Sequence, residues 1–195
     1  MKKLCFLFLL VGVLMAVVPR SSEVASFIGH GVRGPVDDDN MIEDRVLTYD
    51  ELIQEVMKNE KLTETEAKQF IGVSEEKSGR ATYRIYKASV IVTSTYKPQV
   101  VFYCETSEAG DNRGILSLLN TSLNRDYNGS TKQFSGTLYT NLESASCIYF
   151  ELNGDFYHKG TTSRIGEKNT VNFSVSYANK HFEYIYKADR YKLGR

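Results

Sequence analysis

From Arg80 onward the chain alternates apolar and polar residues, and this alternation constrains its fold more than any other feature. In the run 172–177 (NFSVSY) every second residue is apolar, and the run 100–105 (VVFYCE) divides its side chains between two sides in the same way. Successive side chains of a β-strand point to opposite faces of the sheet, so the pattern predicts half-buried strands.

The alternating runs and the turn residues between them predict a mainly β (α+β) fold. The predicted strands cover 81–86, 88–96, 99–105, 114–124, 132–140, 145–152, 156–161, 169–177 and 181–188. Turns are predicted at Lys97-Pro98, Asp111-Asn112, Asn128-Gly129, Asn153-Gly154 and Asn179-Lys180. The run 115–124 has leucines at helical spacing, but its Asn and Thr residues favour a strand. We expect an antiparallel β-sandwich or barrel of about 8–9 strands over residues 80–190.

A short helical hairpin is predicted before the β domain, over residues 47–72. Thr48 with Glu51, and Thr63 with Glu66, have the spacing of a capping box. Each box is followed by apolar residues at helical spacing, and Gly72 predicts the end of the second helix. The acidic second helix and the predicted export of the chain argue against a DNA-binding helix pair, so we expect the hairpin to pack on the β domain or on a partner.

The N-terminus predicts export. Lys2 and Lys3 precede an apolar run of residues 4–18, which is shorter than the ~20 residues of a membrane-spanning helix. We therefore predict a signal peptide over residues 1–26, cleaved after Ser26, and a flexible leader over residues 27–46. An uncleaved N-terminal segment that tethers the protein to a membrane is the alternative. Otherwise the protein is expected to be secreted, with no stable membrane span in the mature chain.

The charge of the mature chain excludes one class of partner. Removal of residues 1–26 takes away three of the 24 basic and one of the 24 acidic residues, which leaves a formal charge of −2. Nucleic-acid binding requires a basic surface, so no nucleic-acid partner is expected. No cofactor is expected either: His30, His158 and His181 lack metal-ligand spacing, and no phosphate-binding glycine motif follows a strand.

The run 151–163 (ELNGDFYHKGTTS) combines a turn dipeptide with polar and aromatic residues. Asn153-Gly154 predicts a tight hairpin turn, because both residues tolerate positive φ angles. Asp155 and His158 could form a carboxylate–imidazole pair, but the chain has no nucleophile elbow, so a structural hairpin is preferred to a catalytic site.

Tyrosine is abundant, with 13 residues in the chain. One interpretation is an amphipathic binding surface formed by Tyr83, Tyr86, Tyr96, Tyr139, Tyr149, Tyr184, Tyr186 and Tyr191. The alternative is that tyrosine simply fits half-buried strands well. The candidate binding surface is Asp155, Tyr157, His158, Tyr184 and Tyr186.

Two cysteines lie beyond the signal peptide, Cys104 and Cys147, each in a strand-like run. An oxidising compartment would allow a disulfide between them, and two buried free thiols are the alternative. Neither has a neighbouring histidine or CxxC partner, so neither is expected to be catalytic.

Three segments carry a resemblance: LTYDELIQEVMKNEKLTETEAKQFIG, VVFYCETSEAGDNRGIL and FSGTLYTNLESASCIYFELNGDFYHKGTTS. Together they resemble small exported proteins of unknown function from Gram-positive bacteria, over most of residues 46–188. The resemblance implies export and a β domain, and it assigns no activity, cofactor or catalytic residue. In a eukaryotic source, Asn120, Asn128 and Asn172 would be glycosylation acceptors.

These observations favour a secreted, non-enzymatic binding protein whose partner is a protein or a cell-surface component. An extracellular hydrolase with an unrecognised Asp, Glu or His site is the first alternative, and a small secreted toxin or antimicrobial factor is the second.

Overall fold

The computed structural model describes residues 45–73, 81–109, 112–166 and 169–194, with Asn112 described by its backbone alone. The predicted signal peptide, nearly all of the predicted leader and Asp111 of one predicted turn lie outside these residues. Within the described segments, no helix has the length and apolar character needed to cross a membrane.

Two helices form at the predicted positions, α1 (Tyr49–Glu60) and α2 (Glu64–Ile71). Both capping boxes are present: Thr48 N donates to Glu51 Oε2 at 2.8 Å, and Thr63 N donates to Glu66 Oε2 at 2.8 Å. Helix α2 ends at Gly72, which has a left-handed backbone. The side-chain partners at each start satisfy backbone groups that the first helical turn leaves unpaired, so local sequence accounts for both helices.

The remaining regular structure is strand. The strands are β1 (Thr82–Ser89), β2 (Gln99–Ala109), β3 (Asn112–Asn124), β4 (Asp126–Tyr127), β5 (Ser130–Thr131), β6 (Gln133–Ser144), β7 (Cys147–Ile165) and β8 (Thr170–Lys192). The mainly β fold with two short helices is therefore confirmed, and so is the strand interpretation of residues 115–124.

The strands form three antiparallel sheets. Strands β1, β2 and β3 form a meander, and β4 and β5 form a small hairpin whose turn is the predicted Asn128-Gly129. In the third sheet β6 pairs with β7 along most of its length and, through residues 136–139, with the start of β8. Strands β7 and β8 form one long hairpin, from Cys147 opposite Lys192 to Ile165 opposite Asn172.

The predicted strand 88–96 is wrong. Strand β1 ends at Ser89, and the chain then reverses: Val90 N donates to Pro98 O and Val92 N to Tyr96 O. Tyr96 is 2% exposed and its hydroxyl donates to the carbonyl of Arg125 at 2.7 Å. Burial of this ring and its hydrogen bond favour a reversal within a run whose composition alone predicts an extended strand.

The predicted turn at Asn153-Gly154 is also wrong, because both residues lie inside β7, opposite Thr137 and Gly136 of β6. The predicted strands 145–152 and 156–161 are therefore one strand. Gly154 allows the backbones of β6 and β7 to approach closely: a Cβ there would overlap the carbonyl oxygen of Ser135 and lie 2.6 Å from Gly136 Cα. A tertiary contact thus accounts for the glycine.

Asn179-Lys180 does not end a strand either, since β8 continues through it. Tyr177 and Lys180 have φ angles of 56° and 57°, and the pairing register shifts between Lys159 and Thr161. The predicted strands 169–177 and 181–188 are joined through these irregularities, which interrupt the ladder without reversing the chain.

The β1–β3 sheet is covered on both faces. On one face, Tyr83, Ile85 and Tyr103 pack with the buried residues of the helices. On the other face, Tyr86, Phe102 and Cys104 belong to the same buried cluster as the inward residues of β6, β7 and β8. The outer face of the β6–β8 sheet lies opposite this second cluster and is available to solvent.

Candidate functional site

The outward side chains of β7 follow directly from its alternation. Ile148, Phe150 and Leu152 are buried in the core. The intervening residues point outward and are Tyr149, Glu151, Asn153, Asp155 and Tyr157. The predicted members Asp155 and Tyr157 therefore share one face of the sheet.

The pairing register of β8 brings further aromatic residues to this face. Tyr186 lies opposite Asn153, Tyr184 opposite Asp155, and His181 opposite Tyr157. Tyr139 of β6 lies opposite Glu151 on the other side of β7. We call this surface the aromatic face, and its ring-bearing members are Tyr139, Tyr149, Tyr157, His181, Tyr184 and Tyr186.

Three tyrosines of the aromatic face are well exposed. Tyr139, Tyr184 and Tyr186 have 38%, 53% and 57% of their surface accessible. In contrast, Tyr83, Tyr86 and Tyr96 are at most 2% exposed, and Tyr191 packs against the core beside Phe102. The interpretation of all eight tyrosines as one binding surface is therefore wrong for these four, which pack in or against the core as the alternative predicted.

Polar partners fix the rings in place. Tyr184 Oη donates to Asn153 Oδ1 at 2.9 Å. Glu151 Oε2 accepts from Tyr149 Oη at 3.3 Å and from Tyr186 Oη at 3.4 Å. The Glu151 carboxylate raises the pKa of Tyr186, because a second negative charge beside it is unfavourable. These hydrogen bonds fix the positions of the three hydroxyl groups across the sheet.

A charged cluster closes one end of the aromatic face. Arg190 donates to both carboxylate oxygens of Glu143, at 2.8 and 2.9 Å, and its guanidinium lies 5.3 Å from the centroid of the Tyr149 ring. The hydrogen bond with Arg190 lowers the pKa of Glu143, and the carboxylate in turn raises the pKa of Arg190. Tyr139 and Tyr149 lie edge to face beside this pair, with centroids 6.2 Å apart. Both charges of the pair therefore persist at neutral pH.

The imidazole partner of Asp155 is His181, and the Asp155–His158 pair is not formed. His181 Nε2 lies 2.8 Å from Asp155 Oδ1, and its ring packs against Tyr157. His158 instead has Nδ1 3.3 Å from Lys132 Nζ and packs on Phe182, a ring that belongs to the core side. His158 is thus separate from the other predicted surface residues. Sequence reasoning missed His181 because its position depends on a register that spans 26 residues.

The Asp155–His181 pair lacks the rest of a hydrolytic site. Its side chains are 40% and 53% exposed. Among the described residues, no hydroxyl or thiol is hydrogen-bonded to His181. A nucleophile within hydrogen-bond reach of the imidazole is required for triad chemistry. Within the part of the chain that the structure describes, the pair is an exposed carboxylate–imidazole contact without the third member of a triad.

Both cysteines are free thiols in the structure. Cys104 belongs to the larger buried cluster and is 0% exposed, and burial raises its pKa. Cys147 begins β7, with Sγ 3.5 Å from Glu143 Oε2; partial burial and the nearby carboxylate raise its pKa as well. Neither environment favours the reactive thiolate.

Two further predictions concern side chains outside the aromatic face. Asn120 is 3% exposed and donates to the carbonyl of Phe70 at 2.6 Å, so it is not an accessible glycan acceptor in the folded chain. Asn128 and Asn172 are exposed.

Within the described residues, no group of three or more His, Cys, Asp or Glu side chains could hold a metal ion.

No protein-family model matches the chain, and neither a curated protein nor a solved structure matches it.

Proposed function

We propose that the protein is a non-enzymatic binding protein that contacts its partner through the aromatic face. The observation that carries this proposal is the row of exposed, hydrogen-bonded tyrosines on β7 and β8, in particular Tyr184 and Tyr186. Tyrosine offers a large apolar contact area with few rotatable bonds, so it loses little conformational entropy on binding.

The chemistry of the face suits a protein or a cell-surface component with mixed polarity. Next to the tyrosines lie an acidic residue, Glu151, and the polar Asn153, while Arg190 and Glu143 flank one end. A sheet surface with aromatic rings and dispersed polar groups can accept an extended partner. This surface does not itself enclose a small substrate.

We further propose that the β1–β3 sheet and the β6–β8 sheet form the two layers of a β-sandwich that supports this face. Phe102 of β2 and Phe150 of β7 support the arrangement, since their ring centroids lie 5.8 Å apart in the shared core. Export is proposed from residues 1–26, whose charge and length fit a secretory signal peptide. The mature protein would then meet partners outside the cell.

A capture experiment with matched variants tests the proposal. The chain, its Tyr184→Ala/Tyr186→Ala variant and its Tyr177→Ala variant would be used to capture partners from the native culture and cell surface. Tyr177 lies on the same strand and is 93% exposed, but it lies outside the aromatic face, so it controls for the loss of an exposed tyrosine.

The double variant should bind the identified partner about 30-fold more weakly, the loss expected for truncating a binding hot spot worth ~2 kcal/mol. Tyr177→Ala should bind like the wild type. Thermal melts should show all three proteins folded, because the altered side chains are exposed. Equal affinity of the double variant and the wild type would remove the aromatic face from the proposal. Turnover of a substrate that disappears in His181→Ala would favour the hydrolase instead.

A further inference from the structure

A concave region lies away from the aromatic face, where the helical hairpin meets the far end of the β7–β8 hairpin. Two cavities of about 360 and 230 Å³ adjoin there, and both are lined by Leu62, Phe70 and Arg164. The larger one is also lined by Glu60, Arg125 and Phe173. We call the two cavities together the cleft. Its size falls in the range of small-molecule sites, about 300–1,000 Å³.

Arg125 lines the cleft, and only one nitrogen of its guanidinium is hydrogen-bonded to other protein groups in the part of the chain that the structure describes. Its Nη1 donates to Lys132 O at 2.9 Å, Gln133 Oε1 at 2.8 Å and Thr162 Oγ1 at 2.9 Å. Among the described residues, Nε and Nη2 of Arg125 have no hydrogen-bond partner. One nitrogen therefore fixes the side chain, and the other two remain available as donors. A planar guanidinium held in this way is suited to an oxygen anion.

Arg164 and Phe70 form a rigid wall. The Arg164 guanidinium lies 4.4 Å from the centroid of the Phe70 ring, and its Nη2 donates to Asn120 Oδ1 at 2.6 Å and to Thr121 O at 2.9 Å. Asn120 in turn donates to the carbonyl of Phe70. Together with Leu62, this wall offers an apolar surface next to a fixed positive charge.

Glu60 is already occupied by protein donors. Its Oε1 accepts from Tyr103 Oη at 2.7 Å, and its Oε2 accepts from Ser122 Oγ at 2.8 Å. These hydrogen bonds hold the Glu60 side chain in place. In the larger cavity Arg125 and Arg164 face this one carboxylate, and the smaller cavity adds a second carboxylate, Glu66. Within the larger cavity the arginines outnumber the carboxylate by one, so a ligand with a single negative charge is favoured, whereas a phosphate dianion would be repelled by Glu60 and Glu66.

We propose that the cleft binds a small organic carboxylate, with the carboxylate on Arg125 and an apolar body against Leu62, Phe70 and Phe173. The apolar walls exclude water from the ligand body, and the guanidinium of Arg125 fixes its orientation. The site is distinct from the aromatic face, so a partner on that face and a ligand in the cleft can be tested separately.

The test uses the full chain with phenylacetate and hexanoate as probes, and the neutral phenylacetamide and hexanamide as matched controls. Binding is followed by NMR chemical-shift changes and by calorimetry. At least one carboxylate should bind, with shifts that cluster at cleft residues. Its amide should bind about tenfold or more weakly, since hydrogen bonds between charged groups are the stronger ones.

Three variants locate the site. Leu62→Trp fills the cleft without removing any of the hydrogen bonds above and should reduce binding at least tenfold. Arg125→Lys keeps the charge but loses the two-pronged donor and should also weaken binding. Arg190→Lys, on the aromatic face, should leave binding unchanged.

Three results would overturn the proposal: equal affinity for acid and amide, unchanged binding by Leu62→Trp, or no saturable binding of either carboxylate at millimolar concentration. If Arg125→Lys does not fold, Leu62→Trp and the wild-type shift map still decide the question. A failure here leaves the aromatic face unaffected, because partner capture by Leu62→Trp should match that of the wild type.

Discussion

Replacing Gly154 by alanine should destabilise the protein by forcing β6 and β7 apart. Gly154 and Gly136 face each other across the ladder, and the Phe134 ring covers both. A Cβ on Gly154 would overlap the carbonyl oxygen of Ser135 and lie 2.6 Å from Gly136 Cα and 2.9 Å from Phe134 Cζ. Phe134 could rotate at some loss of packing, but the two backbone atoms cannot move without shifting the strand.

The size of the expected loss of stability follows from the contacts that the added methyl group would disturb. Overpacking in a filled core costs about 1–3 kcal/mol. Separating the strands at this point would also weaken the neighbouring ladder hydrogen bonds, each worth about 1 kcal/mol. The expected loss is therefore about 3–5 kcal/mol, a large part of the ~5–15 kcal/mol by which domains are stable.

Urea unfolding of the Gly154→Ala variant measures this loss, with Gly129→Ala as the control. Gly129 has a φ of 73° but nothing within 4 Å of its would-be Cβ, so its substitution carries backbone strain without crowding. Its cost should be about 1 kcal/mol. The Gly136→Ala/Gly154→Ala variant should lose less than the sum of the single variants, because one strand separation relieves both clashes. If Gly154→Ala unfolds at the same urea concentration as Gly129→Ala, the crowding argument is wrong.

Three other predictions use different probes. The hydrogen bond from Arg84 holds the pKa of Glu108 below its ordinary value. The contribution of this pair to folding stability is therefore present above pH ~4.3 and is lost as the pH falls through the lowered pKa. Glu108→Gln should therefore cost about 2 kcal/mol in neutral-pH unfolding, with the difference from wild type shrinking in acid; a constant difference would contradict this. A maleimide should label Cys147 in the native protein and Cys104 only after unfolding, as mass spectrometry would show, and native labelling of Cys104 would contradict its burial. Asn120→Ala should lower the free energy of unfolding, measured in urea, by about 2–3 kcal/mol, because it leaves buried partners unsatisfied; a loss equal to that of an exposed asparagine such as Asn128→Ala would refute this.

Local chemistry was sufficient to predict the helices. Each capping box joins residues three positions apart, so its outcome does not depend on the rest of the chain. The Asn128-Gly129 turn was predictable for the same reason, since it closes a hairpin between adjacent residues of β4 and β5. The composition of residues 80–190 was likewise sufficient for the general class of fold.

The features that the sequence did not predict are those that depend on contacts between residues distant in the chain. Asn153-Gly154 has the composition of a hairpin turn, but the glycine is required by β6, whose position the local sequence does not give. Of the five residues of the candidate binding surface, Asp155, Tyr157, Tyr184 and Tyr186 share one face, and His158 does not. The division of the other tyrosines between core and surface depended on which face of each strand lies against one of the two buried clusters.

The two buried clusters on either side of the β1–β3 sheet determine where the sequence can vary without loss of the fold. The residues that maintain the folded state lie in the two buried clusters, whereas the outward positions of β7 and β8 contribute little to either. Substitutions at Tyr184, Tyr186 or Asn153 can therefore accumulate without endangering folding. Such a separation would let related chains diverge in what they recognise while they keep one scaffold. It also makes the β7–β8 surface a suitable place for a randomised library from which new binding specificities could be selected.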